Sequence, residues 1–191
     1  MRGLSVISKM MHPSFDFNPR MLPGKSKNSC VLCSLTVRDF LKCIGCENVN
    51  VRPVLTILAA ECEGKVLHSL GIGSGEASAT EGYWDGHLIA TADGFLIDTT
   101  LYHARRIAWP DMPGMAVVPI QRGRRPSAYG LKPIAGISLA EPEHNYEFTM
   151  LWLDNPKNAG WEIGPDATRN HNLRAPVITA MLRKYAEELK A

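Results

Sequence analysis

A chain of 191 residues is long enough to bury a core without disulfide or metal staples, and it falls within the size range of one domain. Apolar residues make up 45% and charged residues 21%, and the net charge of +2 is too small to argue for a nucleic-acid surface. No run approaches the ~20 apolar residues of a membrane-spanning helix. At the start of the chain, Lys9 interrupts a short apolar stretch and no small-residue cleavage site follows, which is not the pattern of a signal peptide. His12-Pro13, Asn18-Pro19 and Pro23-Gly24 are turn signals, so residues 1–29 are predicted as an irregular lead-in to a single domain over 30–191. Five cysteines without a secretory signal read as thiols or ligands rather than a disulfide framework, and point to a cytoplasmic protein.

From Cys30 the pattern becomes helical. Val31, Leu32, Leu35, Val37, Phe40, Leu41 and Ile44 fall on one side and Arg38, Asp39 and Lys42 on the other, a helix of about four turns. Asn28 or Ser29 is placed to cap it and Gly45 to end it. Val49 to Ala60 reads as a strand, with Pro53 suggesting an edge or an early bend, and Leu67 to Leu70 as a second. Gly71-Ile72-Gly73-Ser74-Gly75 lacks both the full GxGxxG spacing and the Lys-Ser/Thr ending of a phosphate loop, so a flexible loop is the better reading. Next come two apolar runs around Asp93-Gly94, a strong hairpin signal, with His87 opening the first strand and Asp98 closing the second. Prolines 110, 113, 119, 126 and 133 make 107–135 a meandering segment. Glu147 to Leu153 reads as a strand, and Pro176 to Leu189 as a helix with proline at its first position.

The chemistry-bearing arrangement is Cys30, then His87, then Asp98. Cys30 stands at a helix start, where unpaired N–H groups and the helix dipole favour a thiolate and can face an oxyanion. The hairpin makes His87 and Asp98 neighbours, and a carboxylate beside an imidazole fixes its tautomer and steadies its charged form. A cysteine heading a helix, a histidine starting a strand and an aspartate on the next strand together form a candidate Cys-His-Asp triad.

These residues resemble the transglutaminase-like and arylamine N-acetyltransferase branch of the papain-like cysteine enzymes. The resemblance runs over Asn28-Ser29-Cys30, Gly45, Arg52-Pro53-Val54, Gly86-His87-Leu88-Ile89 and Leu96-Ile97-Asp98-Thr99-Thr100, roughly residues 28–101. It implies an α+β fold with a papain-like core, in which the Cys-bearing helix packs on an antiparallel sheet. Cys30 would be the nucleophile, His87 the base and Asp98 its orienting acid. The implied activity is acyl transfer from a small-molecule or peptide substrate to water or an amine, with no cofactor, metal, nucleic acid or membrane. Trp84 is similar to the transglutaminase tryptophan near the histidine. The acetyltransferase Gly-Gly before the cysteine is absent, and no second oxyanion donor is apparent.

Two other readings compete. A binding domain on the same scaffold would carry the three residues without turnover. Cys30, Cys33, Cys43 and Cys46 also spell C-x2-C-x9-C-x2-C, the outline of a zinc module. The intervening helical pattern argues against zinc, because a continuous helix from Cys30 to Cys46 spans about 24 Å, too far for one ion. Cys30-Val31-Leu32-Cys33 also resembles a thioredoxin-like CxxC, without the preceding buried strand, and Cys33 is the alternative nucleophile. His103 with Arg105 and Arg106, the cluster Arg122, Arg124 and Arg125, and the residues His144 and His171 read as solvated loop residues. Trp84, Trp109, Trp152 and Trp161 read as core or cleft wall.

Overall fold

The first predicted helix forms where its pattern places it. In a computed structural model, which describes residues 2–16, 30–73, 79–80, 83–101, 114–121, 127, 130–141, 146–164, 167–168 and 171–191, helix α2 spans Cys30–Cys43. It ends in a Schellman turn. Gly45 takes a left-handed φ of 92°, its N–H donates to the Lys42 carbonyl, and the Cys46 N–H donates to that of Leu41.

Two other helices differ from expectation. The lead-in is not irregular at its start: α1 spans Arg2–Asp16 and buries Val6, Ile7 and Met11 against α2. These apolar residues recur at helical spacing, and their burial outweighs the turn signal of His12-Pro13. Helix α3 spans His171–Lys190, so Pro176 lies inside it and not at its first position. Proline has no N–H to return to residue 172, and the helix tolerates one missing bond in its second turn.

The strands are β1 (Val49–Cys62), β2 (Lys65–Ile72), β3 (Ala79–Thr80), β4 (Tyr83–Trp84), β5 (His87–Ala92), β6 (Phe95–Asp98), β7 (Ala116–Pro119), β8 (Lys132–Glu141) and β9 (Tyr146–Asp154). Seven form one antiparallel sheet in the order β7-β6-β5-β1-β9-β8, with β2 added to β1; β3 and β4 pair separately. Two turns match their sequences. Asp93-Gly94 (φ 47° and 84°) and Glu63-Gly64 (φ 51° and 75°) both have the positive φ values that two-residue hairpins require. The segment 107–135 contains β7 and the start of β8, so it is less irregular than its prolines suggest.

Pro53 lies in the centre of the sheet and not at an edge. Along β1, Val49–Val54 pairs with β5 and Val54–Glu61 with β9. A strand residue's N–H and C=O leave on the same side, and the Pro53 carbonyl accepts from Asn155 N–H (3.2 Å). The missing donor therefore faces the end of β9, where the ladder stops, and β5 loses nothing.

The sheet curls until it nearly closes: beyond β7, Gln121 N–H donates to the Ile134 carbonyl of β8 (2.7 Å). Its inner face packs Val54, Leu58, Ile89, Leu96, Val118 and Trp152. The opposite face packs Val49, Ala90, Ala92 and Ile97 against the three helices. The molecule is therefore mixed α+β, with an antiparallel sheet and helices on one side. Among the described residues, no helix is long and apolar enough to cross a membrane.

Candidate active site

The β5–β6 register builds the centre of the site. Ala92 pairs with Phe95 and Ala90 with Ile97, so the register sets Asp98 opposite Ile89 and diagonal to His87, on one face. An imidazole reaches that far: His87 Nε2–H donates to Asp98 Oδ2 at 2.8 Å. Both side chains point inward, where His87 is 2% exposed and Asp98 fully buried.

Asp98 is surrounded by donors. Oδ2 also accepts from Trp152 Nε1–H (2.9 Å), and Oδ1 accepts from the Thr100 N–H (3.1 Å) and hydroxyl (3.2 Å). Burial alone would raise the carboxyl, but the His87 charge and these hydrogen bonds outweigh it and hold Asp98 below the usual carboxylate range. For His87, burial works toward the neutral ring. The Asp98 charge and hydrogen bond, with a smaller contribution from Cys30, overcome it and push the imidazole up to about 10. The pair is thus an imidazolium and a carboxylate at neutral pH.

Cys30 comes to this pair over the rim of the sheet. Ser34 Oγ donates to the Leu88 carbonyl (2.7 Å) and anchors the start of the second turn of α2 to β5. The Cys30 thiol then meets the chain just before β5 and donates to the Gly86 carbonyl at 3.8 Å. The sulfur also lies close enough to His87 to act on it by hydrogen bond and by charge. Since Nε2 is held by Asp98, Nδ1 is the nitrogen left for sulfur. Around the thiol pack Val31, Leu35, Trp84 and Leu88, and Cys30 is 6% exposed. The Trp84 indole N–H is buried without a hydrogen-bond partner among the described residues. Gly86 leaves room for that ring, since a β-carbon there would run into it.

All three candidate residues therefore converge. Cys33 does not join them, because it packs with Leu32, Val37 and Phe40 in the core beneath α2. Cys43 is 13 residues from Cys30 on a continuous helix, about 20 Å at 1.5 Å per residue, so the four cysteines cannot surround one ion. Among the described residues, no group of three or more His, Cys, Asp or Glu could hold a metal. Asn28, Ser29, His103, Arg105, Arg106, Trp109, Arg122, Arg124, Arg125 and His144 lie outside the described residues.

Three contributors were not assigned a part in the site on sequence grounds. Thr100 was legible, since Asp-x-Thr is an Asx-turn pattern. Trp152 was not, because only the β1–β9 register brings it to Asp98. Gly73, in the stretch read as a flexible loop, has φ 85° and lies against His87. A β-carbon there would stand 2.8 Å from both Cβ and N of His87. Comparison with known proteins found no matching family model, no matching curated protein and no matching solved structure.

Proposed function

We propose that the chain is a cysteine-dependent acyl-transfer enzyme on a papain-like, transglutaminase-like core, acting through Cys30, His87 and Asp98. The observation that carries this reading is the meeting of a thiol at a helix start with an imidazolium whose far nitrogen is tied to a buried carboxylate. Cys30 gives up its proton to solvent beside the charged His87 ring, and the thiolate, held next to Nδ1–H, attacks an ester or amide carbonyl. The buried Trp84 N–H, unpartnered among the described residues, suits the developing oxyanion. As the tetrahedral intermediate collapses, His87 gives its Nδ1 proton to the leaving alcohol or amine, leaving a thioester on Cys30. His87 then takes a proton from water or an acceptor amine, which attacks the thioester and releases the thiolate. Asp98 holds the ring in place throughout and keeps its carboxylate ionised.

The test is alkylation by iodoacetamide near neutral pH, with Cys30→Ala and Cys33→Ala compared, followed by turnover of p-nitrophenyl acetate. Cys30 should carry the fast labelling and a burst of p-nitrophenol. If Cys33 carries it, or neither thiol reacts faster than a free one, the nucleophile is wrong. A binding domain on the same scaffold is the second reading. It draws on the low exposure of Cys30 and His87. It predicts slow alkylation and no burst.

A further inference from the structure

The nearly closed sheet has a second end. On β5, His87, Ile89 and Thr91 point to the same inner face, and Ile89 is completely buried. Thr91 is four residues from His87, about 13 Å along a strand. There the mouth of the sheet opens into a cavity of about 490 Å³, lined by Arg52, Gln121, Ile120, Lys132, Ile134 and Asp154 among others, Thr91 included. That volume is within the range of small-molecule sites. It is separated from the Cys30 end by the apolar layer of Ile89, Leu96 and Val118.

The charges around the mouth are unequal. Arg52 Nε lies 3.5 Å from Asp154 Oδ1. Lys132 stands directly opposite Asp154 in the β8–β9 register, yet makes no ion pair among the described residues. Among the described residues one positive charge is therefore uncompensated, and the Arg52 guanidinium has Asp154 as its ion-pair partner there. Below the charges, Ile120 and Ile134 supply an apolar floor, and Gln121 an amide.

We propose that this cavity binds a small organic monocarboxylate. Its carboxylate sits between the Arg52 guanidinium and the Lys132 ammonium, and its hydrocarbon body rests on Ile120 and Ile134. A planar guanidinium fits a carboxylate well, and a single excess positive charge suits a monoanion better than a phosphate ester. The site is independent of the acyl-transfer reading.

The experiment is a titration of the whole ¹⁵N-labelled chain with sodium butyrate in low-salt buffer, followed by amide shifts. Butylammonium chloride and sodium phosphate are run as comparisons. Saturating shifts should centre on Thr91, Gly94, Gln121 and Lys132. Lys132→Met should weaken butyrate binding about tenfold, Arg52→Met should also weaken it, and added salt should do the same. Lys132 is exposed, so its replacement should leave the remaining spectrum in place. Cys30→Ala should bind butyrate as the native chain does, separating this site from the thiol end. Shifts that never saturate, equal binding by Lys132→Met, or butylammonium or phosphate binding as well as butyrate would each overturn the assignment.

Discussion

Replacing Asp98 by asparagine changes one atom's chemistry and almost none of its volume, which makes it the sharpest probe of the buried centre. The carboxylate oxygens divide four donors: His87 and Trp152 on Oδ2, the Thr100 amide and hydroxyl on Oδ1. An asparagine must present its NH₂ group on one side. Turned toward Oδ2 it confronts the Trp152 N–H; turned toward Oδ1 it confronts the Thr100 N–H. Neither N–H can move away, so one buried donor loses its acceptor at about 1–3 kcal/mol. The imidazolium also loses its counter-charge, and breaking a buried pair from one side costs roughly 3–5 kcal/mol in total. With the carboxylate gone, burial becomes the ruling influence on His87, and the ring should be neutral at pH 7. Urea unfolding gives the first quantity, and two-bond ¹H–¹⁵N spectra of the imidazole give the second. A loss under about 1 kcal/mol, with His87 still cationic at neutral pH, would refute the ion-pair account.

Trp152→Phe keeps a large ring but deletes the donor to Asp98 Oδ2. It should cost about 1–3 kcal/mol, with His87 still charged; unchanged urea stability would remove Trp152 from the site. Gly73→Ala combines a left-handed φ with contact against His87 and Val54, so it should cost about 2–4 kcal/mol, whereas Gly94→Ala, equally left-handed but in open space, should cost about 1–2 kcal/mol. Equal urea midpoints for the two would show that the approach to His87 is not tight. On pH, His87 is raised on folding from 6.5 to about 10, so its contribution is complete below pH 6.5 and is lost as pH rises through about 10. Asp98 is lowered, so its contribution is present above 3.8 and is lost as pH falls through its folded value. The pair is one interaction, worth at most about 5 kcal/mol on the His87 shift. Urea midpoints should fall from pH 6.5 toward pH 10 in the native chain and stay level in Asp98→Asn; a level native profile would contradict the raised imidazole.

The parts of the site readable in the sequence are those made by local chemistry. Asp93-Gly94 sets the β5–β6 turn and hence the diagonal approach of His87 to Asp98, and the apolar stripe after Cys30 sets α2. What escaped reading depends on distant pairing or on burial outweighing a local signal. Trp152 is one alternating residue among several on β9, and only its alignment with Thr56 selects it. Pro53 suggests an edge, yet the end of β9 falls beside its missing donor. The turn signal of His12-Pro13 hides a helix held by Val6, Ile7 and Met11. Strand β8 is obscured by the prolines before it. The approach of Gly73 to His87 has no pattern at all, since a glycine in a glycine-rich stretch reports freedom and not what it touches.

The hydrogen bonds around Asp98 differ greatly in the length of chain they close, and this sets an order of assembly. His87 and Asp98 are 11 residues apart, joined by a tight hairpin, and can meet on the microsecond timescale of hairpin closure. Gly86 meets Cys30 across 56 residues and Asp98 meets Trp152 across 54, so those contacts carry larger loop-closure entropies. They also lie on opposite sides of the hairpin in the chain, one upstream and one downstream. During synthesis the thiol helix and the hairpin emerge first, and the indole that completes the carboxylate's shell follows more than fifty residues later. If the charged pair forms with the hairpin, water would hold the place of the Trp152 N–H until β9 docks and dries it.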